Sequence, residues 1–171
     1  KNLGQGCVLN DSRHVVLEGD EYDTAFFDKR SKFLHYLPEL VVINNIEFDH
    51  ADIYNSLDEI KLTFRRLLNI VPRKGIAFIN GDDPNCLEVA KAAPCPVSTV
   101  GFGETCSLRI GDVSYGTDRS SFTLDGVPYS VRMTGDFNIR NAAMAAAAAS
   151  FAGLSADEIR SGLEDFDGVA R

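Results

Sequence analysis

The chain has 171 residues, of which 44% are hydrophobic, and its 17 basic and 25 acidic residues give a formal net charge of −8. This size and composition predict roughly one ordinary globular domain, which excludes a collagen-like, a disordered or a disulfide-stapled miniprotein. The acidic charge argues against a broad nucleic-acid or membrane surface, because both partners are polyanions. No apolar run approaches the length of about 20 residues that a bilayer-spanning helix needs, and the first six residues contain no signal-peptide core, so we expect a cytoplasmic protein.

The first hundred residues alternate strand-like and helix-like patterns. Four short apolar runs are typical of strands in a parallel sheet, and we expect the first two to be buried on both faces: residues 14–18, 40–45, 75–80 and 96–100. Helical spacing of apolar residues predicts a helix after Ser56, where Ser56 and Glu59 are placed as a capping box, and another at Asp83-Pro84. The alternation predicts a doubly wound, mostly parallel α/β sheet with helices on both faces, in which ligands bind at the carboxyl ends of the strands.

The pattern changes after Gly101. Short alternating runs divided by glycine-containing turns predict a small antiparallel β meander within residues 104–134, and Asp125-Gly126 is its clearest hairpin turn. The predicted strands of the meander are residues 107–110, 113–115, 121–124 and 127–133. An alanine-rich helix is then expected over residues 138–152, followed by a last helix that is capped by Ser155 and ends near Leu163.

Three polar segments are candidates for chemistry. Residues 18–23 contain four carboxylates, whose repulsion a cation such as Mg²⁺ would offset; the alternative is that they cap a helix and face water. Residues 44–52 place His50 between two aspartates, which could orient the imidazole and leave one nitrogen for a metal. Residues 135–141 offer amide side chains that could bind a nucleobase, although helix capping is the default reading of an asparagine there.

Several common site motifs are absent from the sequence. There is no G-x-x-x-x-G-K-[ST] phosphate-binding loop and no G-x-S-x-G elbow. Gly101-Phe-Gly103 lacks the third glycine of a dinucleotide site, which disfavours a Rossmann dehydrogenase. The cysteines form no CxxC pair and are expected to be free thiols rather than zinc ligands: Cys7, Cys86, Cys95 and Cys106.

Taken together and in order, five segments resemble the Mur ligases. They are the stretch from Glu18 to Phe33, Asn45-Ile-Glu-Phe-Asp-His-Ala-Asp52, Asn80-Gly-Asp-Asp83, Gly135-Asp-Phe-Asn-Ile-Arg-Asn141 and Phe166-Asp-Gly-Val-Ala-Arg171. Within this family, residues 22–30 are most similar to the branch that uses a murein tripeptide. The resemblance implies that residues 1–171 are the central ATPase domain of a ligase without its P-loop. The N-terminal UDP-binding domain and the C-terminal domain would lie outside the chain, which alone is expected to be inactive.

The resemblance also implies an activity and a set of site residues. Such ligases use ATP to convert a carboxylate of UDP-N-acetylmuramate into an acyl phosphate, which the amine of a peptide or amino acid attacks to form an amide in peptidoglycan recycling or biosynthesis. Glu18 and His50 match the family's metal-binding residues and would hold Mg²⁺, while Asn138 and Asn141 match the pair beside the adenine of ATP. Residues expected to orient the metal ligands are Glu47, Asp49 and Asp52.

The sequence departs from the family pattern at three positions. Gly19 replaces an alanine, which leaves the metal-binding carboxylate in place. Phe137 stands where the family often has a histidine; it could stack on a base but cannot donate a hydrogen bond. The position that carries a carbamylated lysine in some members falls near Arg65, which favours the L-alanine and tripeptide branches. Arg171 closes the last matching segment and is grouped with the nucleotide-binding residues.

Other functions remain open from the sequence. A UDP-N-acetylmuramate-L-alanine ligase or a folylpolyglutamate-type ligase would share the same central domain. A non-catalytic nucleotide-binding module could share the sheet without consuming ATP. No nucleic-acid, membrane or protein partner is predicted for any of these alternatives.

Overall fold

The computed structural model describes residues 8, 11–49 and 52–168, which form two compact units. One unit comprises residues 17–107, and the other comprises residues 108–171 together with the chain up to residue 16. Within the described part of the chain, every helix is too short or too polar to traverse a bilayer.

The 17–107 unit is built on three parallel strands. It begins with a hairpin of β1 (Asp23–Ala25) and β2 (Asp28–Ser31) and a 3₁₀ turn (Lys32–His35). The elements that follow are β3 (Leu40–Ile43), α1 (Leu57–Ile70), β4 (Ile76–Asn80), α2 (Pro84–Ala90) and β5 (Val97–Gly101). The strands pair in the order β3-β4-β5 with all neighbours parallel. The two helices and three of the four predicted strands are therefore confirmed to within a few residues.

The core of this unit lies between one face of the strands and the two helices. Alternate residues of β3 and β4 pack with the apolar faces of α1 and α2, as their period-2 and helical patterns require. The buried residues of this core include Val41, Ile43, Ala77, Ile79, Ile60, Leu67, Leu68, Cys86 and Val89. The predicted capping box of α1 is only half formed. Ser56 Oγ accepts a hydrogen bond from Glu59 N (3.3 Å), whereas the Glu59 carboxylate accepts from Asn55 N (2.9 Å).

Two predictions about strands are wrong. Residues 14–18 form no strand, and Val16 is 96% exposed. An apolar run becomes a strand only where a neighbour completes its hydrogen bonds, and no described strand pairs with this one. The strand at residues 40–43 is confirmed as parallel, but Val42 is exposed, so β3 is buried on one face rather than two. An apolar β-branched run does not distinguish these two burial patterns.

The second unit combines an antiparallel sheet with two helices. Its elements are β6 (Leu108–Tyr115), β7 (Ser120–Leu124), β8 (Val127–Val131), α3 (Asp136–Phe151) and α4 (Ala156–Glu164). The three strands form a meander in the order β6-β7-β8. Helix α3, four of whose six buried residues are alanines, packs on β6 and β7, while α4 packs on β8. Ser155 and Glu158 form a complete capping box at the start of α4.

Residues with positive φ angles mark one turn and one irregularity in the meander. Asp125 and Gly126 have φ values of 50° and 81°, and two successive positive φ angles form the predicted hairpin turn. The two strands predicted at residues 107–110 and 113–115 are one continuous strand. Asp112, with φ of 47°, lies in an irregularity of register between Gly111 and Ser114. A Gly-Asp pair therefore marks a bulge here rather than a turn.

Candidate functional site

Polar side chains link the carboxyl ends of the three parallel strands. Asn80, the last residue of β4, is buried; its Nδ2 donates to Asn44 O (2.9 Å) after β3, and its Oδ1 accepts from Asp82 N (2.9 Å). The Asp82 carboxylate accepts from the backbone N–H groups of Phe102 and Gly103 after β5, both at 2.9 Å. Asn80 and Asp82 thus fix the three loops that follow the strands.

Asp83 joins the start of α2 to the loop after β3. Its Oδ1 accepts from Asn85 N (2.7 Å) and Cys86 N (3.2 Å), which caps the helix, and its Oδ2 accepts from Ile46 N (3.0 Å). Asn85 Nδ2 donates to Ile46 O (2.7 Å), so both backbone groups of this residue are held. Ile46 is 2% exposed and stands four residues before His50. The sequence indicated the acids of the loop after β3 as candidates for chemistry. It did not indicate Asn85, which lies at the start of α2 and holds that loop.

Close packing at the same loops requires two glycines. A Cβ at Gly81 would lie 2.5 Å from Cys106 Sγ, and a Cβ at Gly101 would lie 2.6 Å from Asp82 Oδ2. Both distances are far below van der Waals contact. Glycine at these two positions lets the backbone lie close to the side chains of Cys106 and Asp82.

The four carboxylates of residues 18–23 have different surroundings. Asp20 accepts from Lys32 Nζ (2.8 Å), which raises the pKa of Lys32, and Asp23 pairs with Lys29 Nζ (2.8 Å). Lysines of the adjoining hairpin and 3₁₀ turn therefore offset part of the charge that the sequence assigned to a metal. Glu18 is exposed and forms no hydrogen bond or ion pair within the described residues. Its carboxylate is available to a ligand.

The second predicted metal ligand, His50, lies outside the described residues, as does Arg171. The convergence of Glu18 and His50 on one ion therefore stays a prediction. Within the ranges 11–49 and 52–168, no group of three His, Cys, Asp or Glu side chains is arranged to hold a metal. Of the residues expected to orient the ligands, Glu47 accepts a hydrogen bond from Asn45 Nδ2 (2.9 Å).

The predicted nucleotide-binding residues lie in the first two turns of α3, in the second unit. Gly135 precedes the helix with φ of 93°. Phe137 is 71% exposed, and Asn138 Nδ2 donates to Thr134 O (2.8 Å), which leaves Asn138 Oδ1 as an acceptor. Asn141 is exposed one turn further on, and positions three residues apart share a helix face. The structure thus places Phe137, Asn138 and Asn141 together.

An open cavity of about 500 Å³ adjoins this helix start. It is lined by Tyr115, Thr134, Gly135, Asp136 and Phe137. The Tyr115 hydroxyl donates to the Asp136 carboxylate, which raises the pKa of Tyr115 and links the end of β6 to the first turn of α3. The sequence did not indicate Tyr115, because no local pattern shows which residue of the meander meets the helix.

The charged residues of α1 form a network that the sequence did not predict. Lys61 Nζ lies 2.7 Å from Glu88 Oε2, and Arg65 lies 2.7 Å from Glu88 Oε1. The Lys61 hydrogen bond lowers the pKa of Glu88. Arg65, near the position of the carbamylated lysine in some Mur ligases, is therefore part of an ion pair between α1 and α2.

The cysteines that the structure describes are free thiols. The expected free thiols are confirmed for Cys86, Cys95 and Cys106, while Cys7 lies outside the described residues. Burial raises the pKa of Cys86 to about 12, so its thiol is protonated and inert at neutral pH.

Parallel strands with crossover helices and loops fixed at their carboxyl ends define an α/β domain of the kind that binds ligands at that edge. The profile of the Mur ligase middle domain matches residues 5–149, and the chain belongs to this family. The predicted family and α/β fold class are thereby confirmed.

Individual relatives are similar over almost the whole chain. UDP-N-acetylmuramate–L-alanyl-gamma-D-glutamyl-meso-2,6-diaminoheptandioate ligase of Escherichia coli is 36% identical over 99% of this chain. UDP-N-acetylmuramate–L-alanine ligase of Variovorax paradoxus is 30% identical over 99% of it. The chain spans 38% and 36% of the lengths of these two proteins.

A solved structure gives the same result for the fold. It is the crystal structure of UDP-N-acetylmuramate:L-alanyl-gamma-D-glutamyl-meso-diaminopimelate ligase from Neisseria meningitides, with a TM-score of 0.77 and 37% identity. The match covers 90% of this chain and 48% of that one.

Proposed function

We propose that this chain is the central domain of an ATP-dependent ligase that joins a peptide or amino acid to UDP-N-acetylmuramate through an acyl phosphate. The observation that carries the proposal is 36% identity to a ligase of that name along 99% of the chain. Residues 1–171 would act as the ATP-using domain, with residues 104–134 as its antiparallel subregion. Since these residues contain no G-x-x-x-x-G-K-[ST] loop, the phosphate cradle would come from another part of the protein.

The start of α3 would bind the adenine of ATP. The exposed ring of Phe137 can stack on the base. Asn138 Oδ1 can accept from the exocyclic amine, because its Nδ2 is already bound to Thr134 O. Asn141 adds a second amide on the same face, and Arg171 is assigned to the nucleotide as well.

Glu18 and His50 would hold the magnesium ion that accompanies ATP. The exposed carboxylate of Glu18 fits this role, because it makes no other bond in the described part of the chain and Mg²⁺ prefers carboxylate oxygens. A bound Mg²⁺ would stabilise the negative charge that develops on the phosphoryl oxygens.

The preferred acceptor is the tripeptide L-alanyl-γ-D-glutamyl-meso-diaminopimelate, whose free alanyl amine would attack the acyl phosphate. The second candidate acceptor is L-alanine, favoured by 30% identity to an L-alanine ligase. An acceptor screen on the full-length protein tests both: phosphate release from ATP should require UDP-N-acetylmuramate and the amine together. ATP turnover that ignores both substrates, or the absence of any amide product, would contradict the ligase assignment.

Two substitutions test the site residues in the same assay. Glu18→Ala should lower turnover about a hundredfold or more at saturating Mg²⁺, since a charge-stabilising group is removed. The matched control, Glu104→Ala, changes an exposed acid of the same unit and should have no effect. Phe137→Ala should raise the KM for ATP roughly tenfold through the loss of stacking, whereas Phe151→Ala, at the far end of α3, should not. Unchanged kinetics in both test variants would reject the assignments.

A further inference from the structure

Two aromatic rings line the open cavity beside the start of α3. Tyr115, the last residue of β6, is 49% exposed, and Phe137, in the first turn of α3, is exposed as well. Thr134, Gly135 and Asp136 complete the lining. Its volume of about 500 Å³ falls in the range of roughly 300–1,000 Å³ that is typical of small-molecule sites. The motif that assigns Phe137 to the nucleotide does not include Tyr115.

The backbone at Tyr115 is fixed by its neighbours in the meander. Tyr115 pairs with Ser120 of β7 in antiparallel register. The turn that follows is closed by a hydrogen bond from Gly116 N to Arg119 O (2.9 Å), and a Cβ at Gly116 would lie 2.6 Å from the same oxygen. Only glycine fits this close approach without a shift of the backbone. The Tyr115 ring therefore extends from a defined strand end rather than from a long loop.

The Tyr115 hydroxyl joins this strand end to α3. It donates its single proton to the Asp136 carboxylate, in the first turn of the helix. The bond holds the Tyr115 ring at the cavity and ties β6 to the turn that carries Phe137 and Asn138. The Asn138 N–H donates to Gly135 O (3.0 Å), which closes the same turn. The hydroxyl of Tyr115 therefore links the positions of the two rings.

The charge of the lining favours a nucleobase over a phosphate. A helix N-terminus attracts anions, but at α3 the Asp136 carboxylate already supplies the negative charge. The lining, as far as the structure describes it, contains no basic side chain. A triphosphate would be repelled by Asp136, whereas an uncharged aromatic base can contact both rings.

We propose that Tyr115 binds the nucleobase together with Phe137: its ring contacts the base, and its hydroxyl holds the first turn of α3 through Asp136. This inference rests on the proposed function, which supplies ATP as the ligand. The base is then held by one ring from the meander and one from the helix. The antiparallel subregion takes part in ATP binding rather than only supporting α3.

Two substitutions separate the ring of Tyr115 from its hydroxyl in the full-length protein. Tyr115→Ala removes both and should raise the KM for ATP about tenfold through the loss of one stacking ring, with kcat unchanged. Tyr115→Phe keeps the ring and should raise that KM about threefold through the lost hydrogen bond. The matched control, Phe151→Ala, removes a ring of similar exposure (47%) at the far end of α3 and should leave both constants unchanged. Equal effects of the two Tyr115 substitutions would overturn the ring contact.

Titration with adenosine, which has the base without the phosphates, distinguishes a base contact from a general loosening of the site. Adenosine and a non-hydrolysable ATP analogue should both bind Tyr115→Ala about tenfold more weakly than wild type. Weakening of the analogue alone, or no binding of adenosine to the wild-type protein, would overturn the inference.

The two measurements together separate failure of the inference from failure of the proposed function. Ligase turnover with the same KM for ATP in wild type and Tyr115→Ala would contradict the inference and leave the ligase function standing. Binding of adenosine that depends on Tyr115, without ligase turnover on any acceptor, would support the inference and contradict the ligase function.

Discussion

Removing the Asp83 carboxylate should loosen both the start of α2 and the loop after β3. Asp83→Ala removes a helix cap, at a cost of about 1 kcal/mol. It also leaves the backbone N–H of Ile46, in a residue only 2% exposed, without its acceptor, at a cost of about 1–3 kcal/mol. The combined loss is about 2–4 kcal/mol. Asp83→Ser separates the two contributions, because a serine can still cap the helix but is too short to reach Ile46.

Native-state hydrogen exchange measures these contributions locally. Protection of the α2 amides should fall about 30-fold to several hundredfold in Asp83→Ala and by a smaller factor in Asp83→Ser. The Ile46 amide should exchange faster in both variants. Equal loss in the two variants would show that capping contributes nothing, and unchanged exchange at Ile46 would refute the tie between Asp83 and the loop that leads to His50.

Three further substitutions test stability. Gly81→Ala should lower the melting temperature, because the new Cβ would lie 2.5 Å from Cys106 Sγ and overpacking costs about 1–3 kcal/mol. Gly162→Ala in α4 should raise it, since nothing lies within 4 Å and alanine favours a helix by about 0.5–1 kcal/mol; shifts of the same sign would contradict this reasoning. Glu88→Gln should destabilise at pH 7, because Lys61 lowers the pKa of Glu88 and so the charged pair stabilises the fold above the ordinary carboxyl pKa. The difference from wild type should shrink in urea denaturation below about pH 4, as the wild-type carboxylate protonates; a difference independent of pH would exclude the ion pair as its cause.

Turns and helix caps that depend only on neighbouring residues could be predicted from the sequence. Asp125-Gly126 forms its turn because both residues tolerate positive φ, and Asp83 caps α2 beside a proline, in agreement with the pattern. The hairpin of β1 and β2 was missed, since Phe26 and Phe27 at its turn are not residues that mark turns. The opposite error occurred at residues 14–18, where a strand was predicted and none forms. Their composition fits a strand, but a strand depends on a neighbouring strand that composition cannot reveal.

The role of the predicted nucleotide-binding residues stays a prediction, but their position on one helix follows from the sequence. Phe137, Asn138 and Asn141 fall within five consecutive positions of α3, so helical geometry alone places them near one another. The packing of the β1–β2 hairpin near α1 was not predictable, because the sequence did not reveal the hairpin and α1 begins 26 residues after it ends.

Five acids near the candidate site fall into three kinds according to their hydrogen-bond and ion-pair partners. Asp82 and Asp83 accept main-chain N–H groups, so their loss would leave backbone donors without partners inside the fold. Asp20 and Asp23 are neutralised by lysines nearby. Glu18 forms no hydrogen bond or ion pair within the described residues. Replacing it should therefore leave the fold intact while changing any chemistry that depends on a cation. The high density of carboxylates in residues 18–23 indicates where a metal could bind. Within that segment, Glu18 is the candidate metal ligand because it has no hydrogen bond or ion pair among the described residues.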